Sequence, residues 1–128
     1  MAEISMNVNW IAVVVGAVLS FLLGWFWYSP KAFGTKWADG VGVELGKAKE
    51  MPAGAMVSQA IGTFLFAWVV GVTAANNALL TFILVTVTIA ALIFANGMFA
   101  RKSTYAVITE TGFIFAMAVV MFLAQAIL

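Results

Sequence analysis

Four long stretches of the chain are apolar almost without interruption, and they set the reading of everything else. Val8 to Trp27, Pro52 to about Ala75, Leu79 to Ala100 and about Ser103 to Leu128 each run for about 20 residues or more, while polar residues gather between the first stretch and the second. At about 1.5 Å per residue such a stretch crosses a ~30 Å hydrocarbon layer as a helix, whereas the buried helices of soluble domains are shorter and amphipathic. The pattern predicts an all-α fold, an integral membrane four-helix bundle made of two helical hairpins, in one domain over 1–128. Its spans are expected at about 8–28, 52–75, 79–100 and 104–128.

The punctuation between the spans agrees. Ser29-Pro30 ends the first, because the residue before proline is pushed out of the helical region. Pro52 suits the first turn of the second, Asn76-Asn77 makes a tight turn, and Arg101-Lys102 closes the third. The connection over 29–51 holds seven of the eleven charged residues and four glycines, so it is the one candidate for an extended extramembrane segment. The first span lacks a basic leader and carries Trp25-Phe26-Trp27-Tyr28 where a signal peptide has small residues, so it is expected to be retained.

Composition deepens this reading. Of 128 residues, 65% are hydrophobic and 9% charged, with a mean hydropathy of +1.11, against roughly 45–50% apolar residues in a soluble domain. There is no cysteine and no histidine, which excludes disulfides, thiolate or imidazole metal sites, cysteine nucleophiles and histidine bases. No metal and no cofactor are expected, and a net charge of +1 gives no sign of nucleic-acid binding. All six basic residues, Lys31, Lys36, Lys47, Lys49, Arg101 and Lys102, lie in the first and third connections. The positive-inside rule makes those connections cytoplasmic and puts both termini on the periplasmic or outer side.

The stretch GWFWYSPKAFGTKW, from Gly24 to Trp37, gathers aromatics and lysines around one proline. Amphipathic rings favour the headgroup level, so Trp27 and Tyr28 are expected at the membrane boundary with Pro30 ending the span. Phe33 and Trp37 are four apart, which places them on one face of a helical turn, with Lys31 and Lys36 directed to anionic lipid. Arg101 and Lys102 join this interfacial set, and membrane lipids are the expected partners. The residues Asn9-Trp10, Gly24-Trp25, Trp27-Tyr28-Ser29-Pro30, Phe33-Gly34 and Trp37, continued by Asn96, Phe99, Arg101, Ile108 and Gly112, resemble a small bacterial inner-membrane family catalogued as domain-of-unknown-function family 1761. The WYSP-x-x-FG block carries most of the likeness. After Ile108 this chain departs from the pattern: Thr109-Glu110-Thr111 brings an acid where many members have an aromatic-histidine pair. The resemblance implies a four-helix bacterial inner-membrane protein and supplies no activity.

Within the spans, Ala12, Gly16, Ser20 and Gly24 recur every fourth position, and Gly54, Ser58 and Gly62 repeat that spacing on the second helix. Small stripes let backbones approach in lipid, where apolar side chains gain little by leaving apolar solvent. The first two spans are therefore expected to cross at these faces, with Gly112-x-x-x-Ala116 doing the same for the second hairpin. Helical rise places Ser20, Gln59, Asn96 and Glu110 at about 8–12 Å inside their boundaries, a candidate polar layer. Glu110 is the one acid inside a span, and such a group needs a partner or water. Gln59, Asn96 and an inward-reaching Arg101 are the candidates.

No pair of intramembrane acids and no activated serine motif is present, so an enzyme is not expected. The expected function is a structural or accessory multi-pass protein, a homo-oligomer or a subunit of a larger membrane complex. The alternative is a small homo-oligomeric transporter or channel using Glu110.

Overall fold

The computed structural model describes residues 2–42 and 53–128, and among them the chain is helical apart from its turns. The elements are α1 (Ala2–Ser5), α2 (Trp10–Trp27), α3 (Gly34–Val41), α4 (Ala53–Ala75), α5 (Leu79–Phe99) and α6 (Thr104–Ile127). Four of them, α2, α4, α5 and α6, are long and apolar enough to cross a membrane. Their ends fall within two residues of the expected bounds. Pro52, Lys47 and Lys49 lie outside the described residues. The two short helices are additions to the sequence reading.

Local chemistry sets the helix ends. The side chains of Asn9 and Ser103 cap α2 and α6 by accepting from the N–H groups of Ala12 and Ala106, each at 3.1 Å. The α4–α5 turn places Asn77 at φ 52°, a left-handed conformation that asparagine tolerates.

The core lies around α6. Met121, Met117, Ala118 and Phe113 of α6 pack with Val13 of α2 and with Phe66, Ala67 and Val70 of α4. Gly16 of α2 sits against Met121 and Ala124, and Gly24 sits against Phe113, so α2 and α6 run antiparallel. Here the expected seam is corrected. The small stripe of α2 receives large side chains of α6, while Gly54 and Gly62 of α4 have no neighbouring side chain within 4 Å of a built Cβ, and Ser58 is exposed. A glycine notch filled by methionine or phenylalanine recovers more dispersion contact than a notch facing another notch. The contact of α2 with α4 is made farther along, where Gly71 faces Val13 and Val8. From Ala53 to Gly62, α4 is exposed at every residue, and Thr63 is the first buried one.

The bundle has two unlike poles. At the far pole the Trp68 indole donates to the Ile4 carbonyl at 2.6 Å and meets the Trp10 ring edge-on at 5.2 Å, tying α1 and α2 to α4. At the basic pole stand α3, the α5–α6 turn and the start of α6.

Candidate functional site

The aromatic stretch after α2 is a chain reversal. Ser29 donates from both its N–H and its hydroxyl to the Phe26 carbonyl, at 3.0 and 2.6 Å. Phe33 N–H then returns to the Trp27 carbonyl at 3.1 Å, and Gly34 N–H to the Ser29 carbonyl at 2.9 Å. A side chain on Gly34 would run into the Tyr28 carbonyl, so the reversal needs glycine there. It ends with α3 laid back against the first half of α6.

Four contacts hold α3 and the end of α2 in place. Ser103 N–H donates to the Gly40 carbonyl at 3.1 Å, and a Cβ on Gly40 would press on Ser103 and Ala106. The Trp27 indole donates to the Thr109 carbonyl at 3.0 Å and lies over Gly112, whose built Cβ would sit 3.5 Å from the ring. The Trp37 indole donates to Glu110 Oε2 at 2.9 Å. Tyr28 completes an aromatic wall, edge-on to Trp37 at 4.8 Å and to Phe113 at 5.4 Å, with Phe33 tilted on Trp27 at 4.7 Å.

Glu110 is the hub of this arrangement. Lys102 Nζ donates to its two carboxylate oxygens, at 2.8 and 3.0 Å. With the Trp37 indole, three hydrogen bonds from two donor groups engage a carboxylate that has about four acceptor sites. Side-chain exposure is 26% for Lys102 and 16% for Glu110, so the pair is shielded on most sides. An isolated charge there would carry a heavy desolvation cost, which a charge-assisted pair with an added N–H offsets.

The expected partners of Glu110 are corrected. Gln59 donates instead to Thr63 on its own helix at 3.3 Å, Asn96 is exposed on α5, and Arg101 is exposed at the turn. The reason is that α4 does not come near α6 at Gln59's level, whereas α3 brings Trp37 directly over Glu110. The polar layer is therefore not assembled: Ser20 is fully buried, and its hydroxyl is the one buried side-chain group without a partner among the described residues. Two interfacial expectations change likewise. Trp37 turns inward to the carboxylate, and Lys102 is taken up by an ion pair. Lys31, Lys36, Phe33 and Arg101 stay exposed at this pole, and Lys36 Nζ stands 5.4 Å from the centre of the Tyr105 ring.

Sequence reasoning singled out Gly34 only within the WYSP-x-x-FG block, with no structural role, and missed Gly40, Ser103 and Tyr105. Two glycines, each three residues from Trp37, and a serine before the final apolar run were the available signals.

An all-helical bundle of four membrane-capable helices, with the short α3 fastened over the carboxylate that stands within one of them among the described residues, defines a multi-pass membrane protein. A family model described as Protein of unknown function (DUF1761) matches residues 11–125, and the chain belongs to that family. The match extends over both partners of the Trp37–Glu110 contact. No curated protein and no solved structure matches the chain.

Proposed function

We propose that this protein is a non-enzymatic accessory subunit of the bacterial inner membrane, associating with copies of itself or with a larger complex and in contact with lipid. Its basic pole faces the cytoplasm and both termini face outward. The observation that carries this reading is the occupancy of Glu110. The one acid within a span is engaged by Lys102 and Trp37 of the same chain, so it fastens the fold rather than waiting for a substrate. Support for association comes from α4, whose exposed first half presents Gly54, Ser58 and Gly62 and the amide of Gln59 at membrane depth. Such a face suits a helix from another subunit.

Native mass spectrometry after gentle extraction tests the proposal. A defined oligomer or a constant heteromeric partner is expected, and Gly62→Leu is expected to disperse a homo-oligomer. A monomer without partners in every lipid tried would remove the association reading. Ion flux in liposomes that Glu110→Gln abolishes would replace it with transport. For orientation, cysteine at position 77 should react with an impermeant thiol reagent from outside the cell and cysteine at position 47 should not; the opposite labelling would invert the topology.

A further inference from the structure

At the basic pole the described residues carry Lys31, Lys36, Arg101 and Lys102 against Asp39 and Glu110. Lys102 and Glu110 neutralise one another. Lys31, Lys36, Arg101 and Asp39 form no ion pair among the described residues, which leaves the pole net positive. Two of the remaining cations have placements that point to a use.

Lys36 is held with its ammonium over Tyr105. Arg101 is stranger. It stands at φ 59° beyond the end of α5, donating its N–H to the Met98 carbonyl at 3.1 Å, and Lys102 N–H follows to the Gly97 carbonyl at 3.1 Å. This is a helix-ending turn whose left-handed position favours glycine. Among the described residues the other two non-glycine positions with positive φ are Asn7 and Asn77, a type that visits this region readily. Arginine has no such backbone reason. The guanidinium is thus carried at a position whose backbone favours glycine. It lies in the turn between the end of α5 at Phe99 and the start of α6 at Thr104, both of them helices long and apolar enough to cross a membrane. Met98 and Phe99, 58% and 89% exposed, stand three and two residues before it. Tyr105 follows four residues later, a Cα separation of at most ~14 Å.

We propose that Lys36 of α3, held over Tyr105, and Arg101, on the turn that the Ser103–Gly40 hydrogen bond ties to α3, form a binding site for the phosphate headgroup of an anionic phospholipid, with its acyl chains along Met98 and Phe99. A planar guanidinium grips a phosphodiester by two parallel hydrogen bonds, while the ammonium acts as a nearby point charge. The site rests on membrane embedding alone and not on self-association.

The test reads lipid adducts by native mass spectrometry after extraction from vesicles of phosphatidylglycerol and phosphatidylcholine. Wild type is expected to retain phosphatidylglycerol preferentially. Lys36→Gln and Arg101→Gly should each lower that retention about fivefold, with phosphatidylcholine unaffected and Lys31→Gln close to wild type. Arg101→Gly is the decisive variant, because glycine relaxes the turn: its melting temperature should hold or rise while lipid retention falls, a split that a merely structural arginine would not give. Undiminished retention in Arg101→Gly overturns the proposal. So does an equal loss in Lys31→Gln, which would indicate a diffuse field, or displacement of the lipid by inorganic phosphate, which would indicate a site for a soluble anion. The oligomeric state appears in the same spectra, so loss of the association reading and loss of this site are separate results.

Discussion

Helices α5 and α6 are neighbours in sequence, differ by three residues in length, and have mean hydropathies of 2.4 and 2.1 over their most apolar 18 residues. Yet 11% of that stretch is buried in α5 and 39% in α6. The less apolar helix is the more enclosed. In water this would be paradoxical; in lipid it follows, because a leucine gains little by exchanging acyl chains for another leucine. What selects the centre of the bundle is shape and hydrogen bonding. Met121 and Phe113 fit the notches at Gly16 and Gly24, and Glu110, Ser103 and the Thr109 carbonyl fasten α3 and Trp27. On α5 the close approach is Gly97 against Val107, together with the stacked pair Phe82 and Phe122.

The sharpest way to break this contrast is truncation on each helix. Met121→Ala, at a residue 1% exposed, is expected to destabilise by about 2–5 kcal/mol. Leu84→Ala, 66% exposed on α5, should stay within about 0.5 kcal/mol of wild type. Denaturation in mixed detergent micelles compares them, and equal costs would end the distinction.

The next test fills the notches. Gly16→Leu meets the Met121 backbone and should cost about 1–3 kcal/mol, whereas Gly62→Leu, with open space around it, should leave the monomer's stability unchanged. Comparable to this is the fastening of α3. Glu110→Leu leaves a shielded ammonium and an indole N–H without their acceptor, at a cost of about 1–3 kcal/mol, and Glu110→Gln should cost less. The indole N–H resonance of Trp37 should shift in both, and most in the leucine variant; an unmoved resonance would mean that α3 docks without the carboxylate.

The smallest effect has the opposite sign. Ser20→Ala removes a fully buried hydroxyl that has no partner, so a gain of up to about 1 kcal/mol is expected. A loss would show that Ser20 has an acceptor in the membrane.

The same contrast marks where sequence reading succeeds. Spans are legible because hydropathy over some 20 residues measures compatibility with a slab of lipid, and that is a property of each segment alone. Partner choice is a relation between segments. The stripe at Ala12, Gly16, Ser20 and Gly24 was visible as a close-packing face, but nothing within α2 says that Met121 rather than Gly62 will fill it. Glu110 stood out by its depth, whereas Lys102 read as one more interfacial cation, since the turn that folds it back onto Glu110 has no pattern of its own. Trp37 was invisible as a partner for a similar reason. Its position depends on the six-residue path from Ser29 to Gly34, where hydrogen bonds rather than periodicity set the direction of the chain.

That path also orders assembly in time. The bonds that reverse the chain are local and need only residues 26–34. The acceptors for the two indoles lie 82 and 73 residues later, on the last helix to be synthesised. At typical elongation rates the interval is about 4–15 s. During it the Trp27 and Trp37 indole N–H groups lack the acceptors that α6 supplies. Arrival of α6 then closes the molecule from the basic pole, and Glu110, the residue most awkward to insert, enters a membrane in which its counterpart is already waiting.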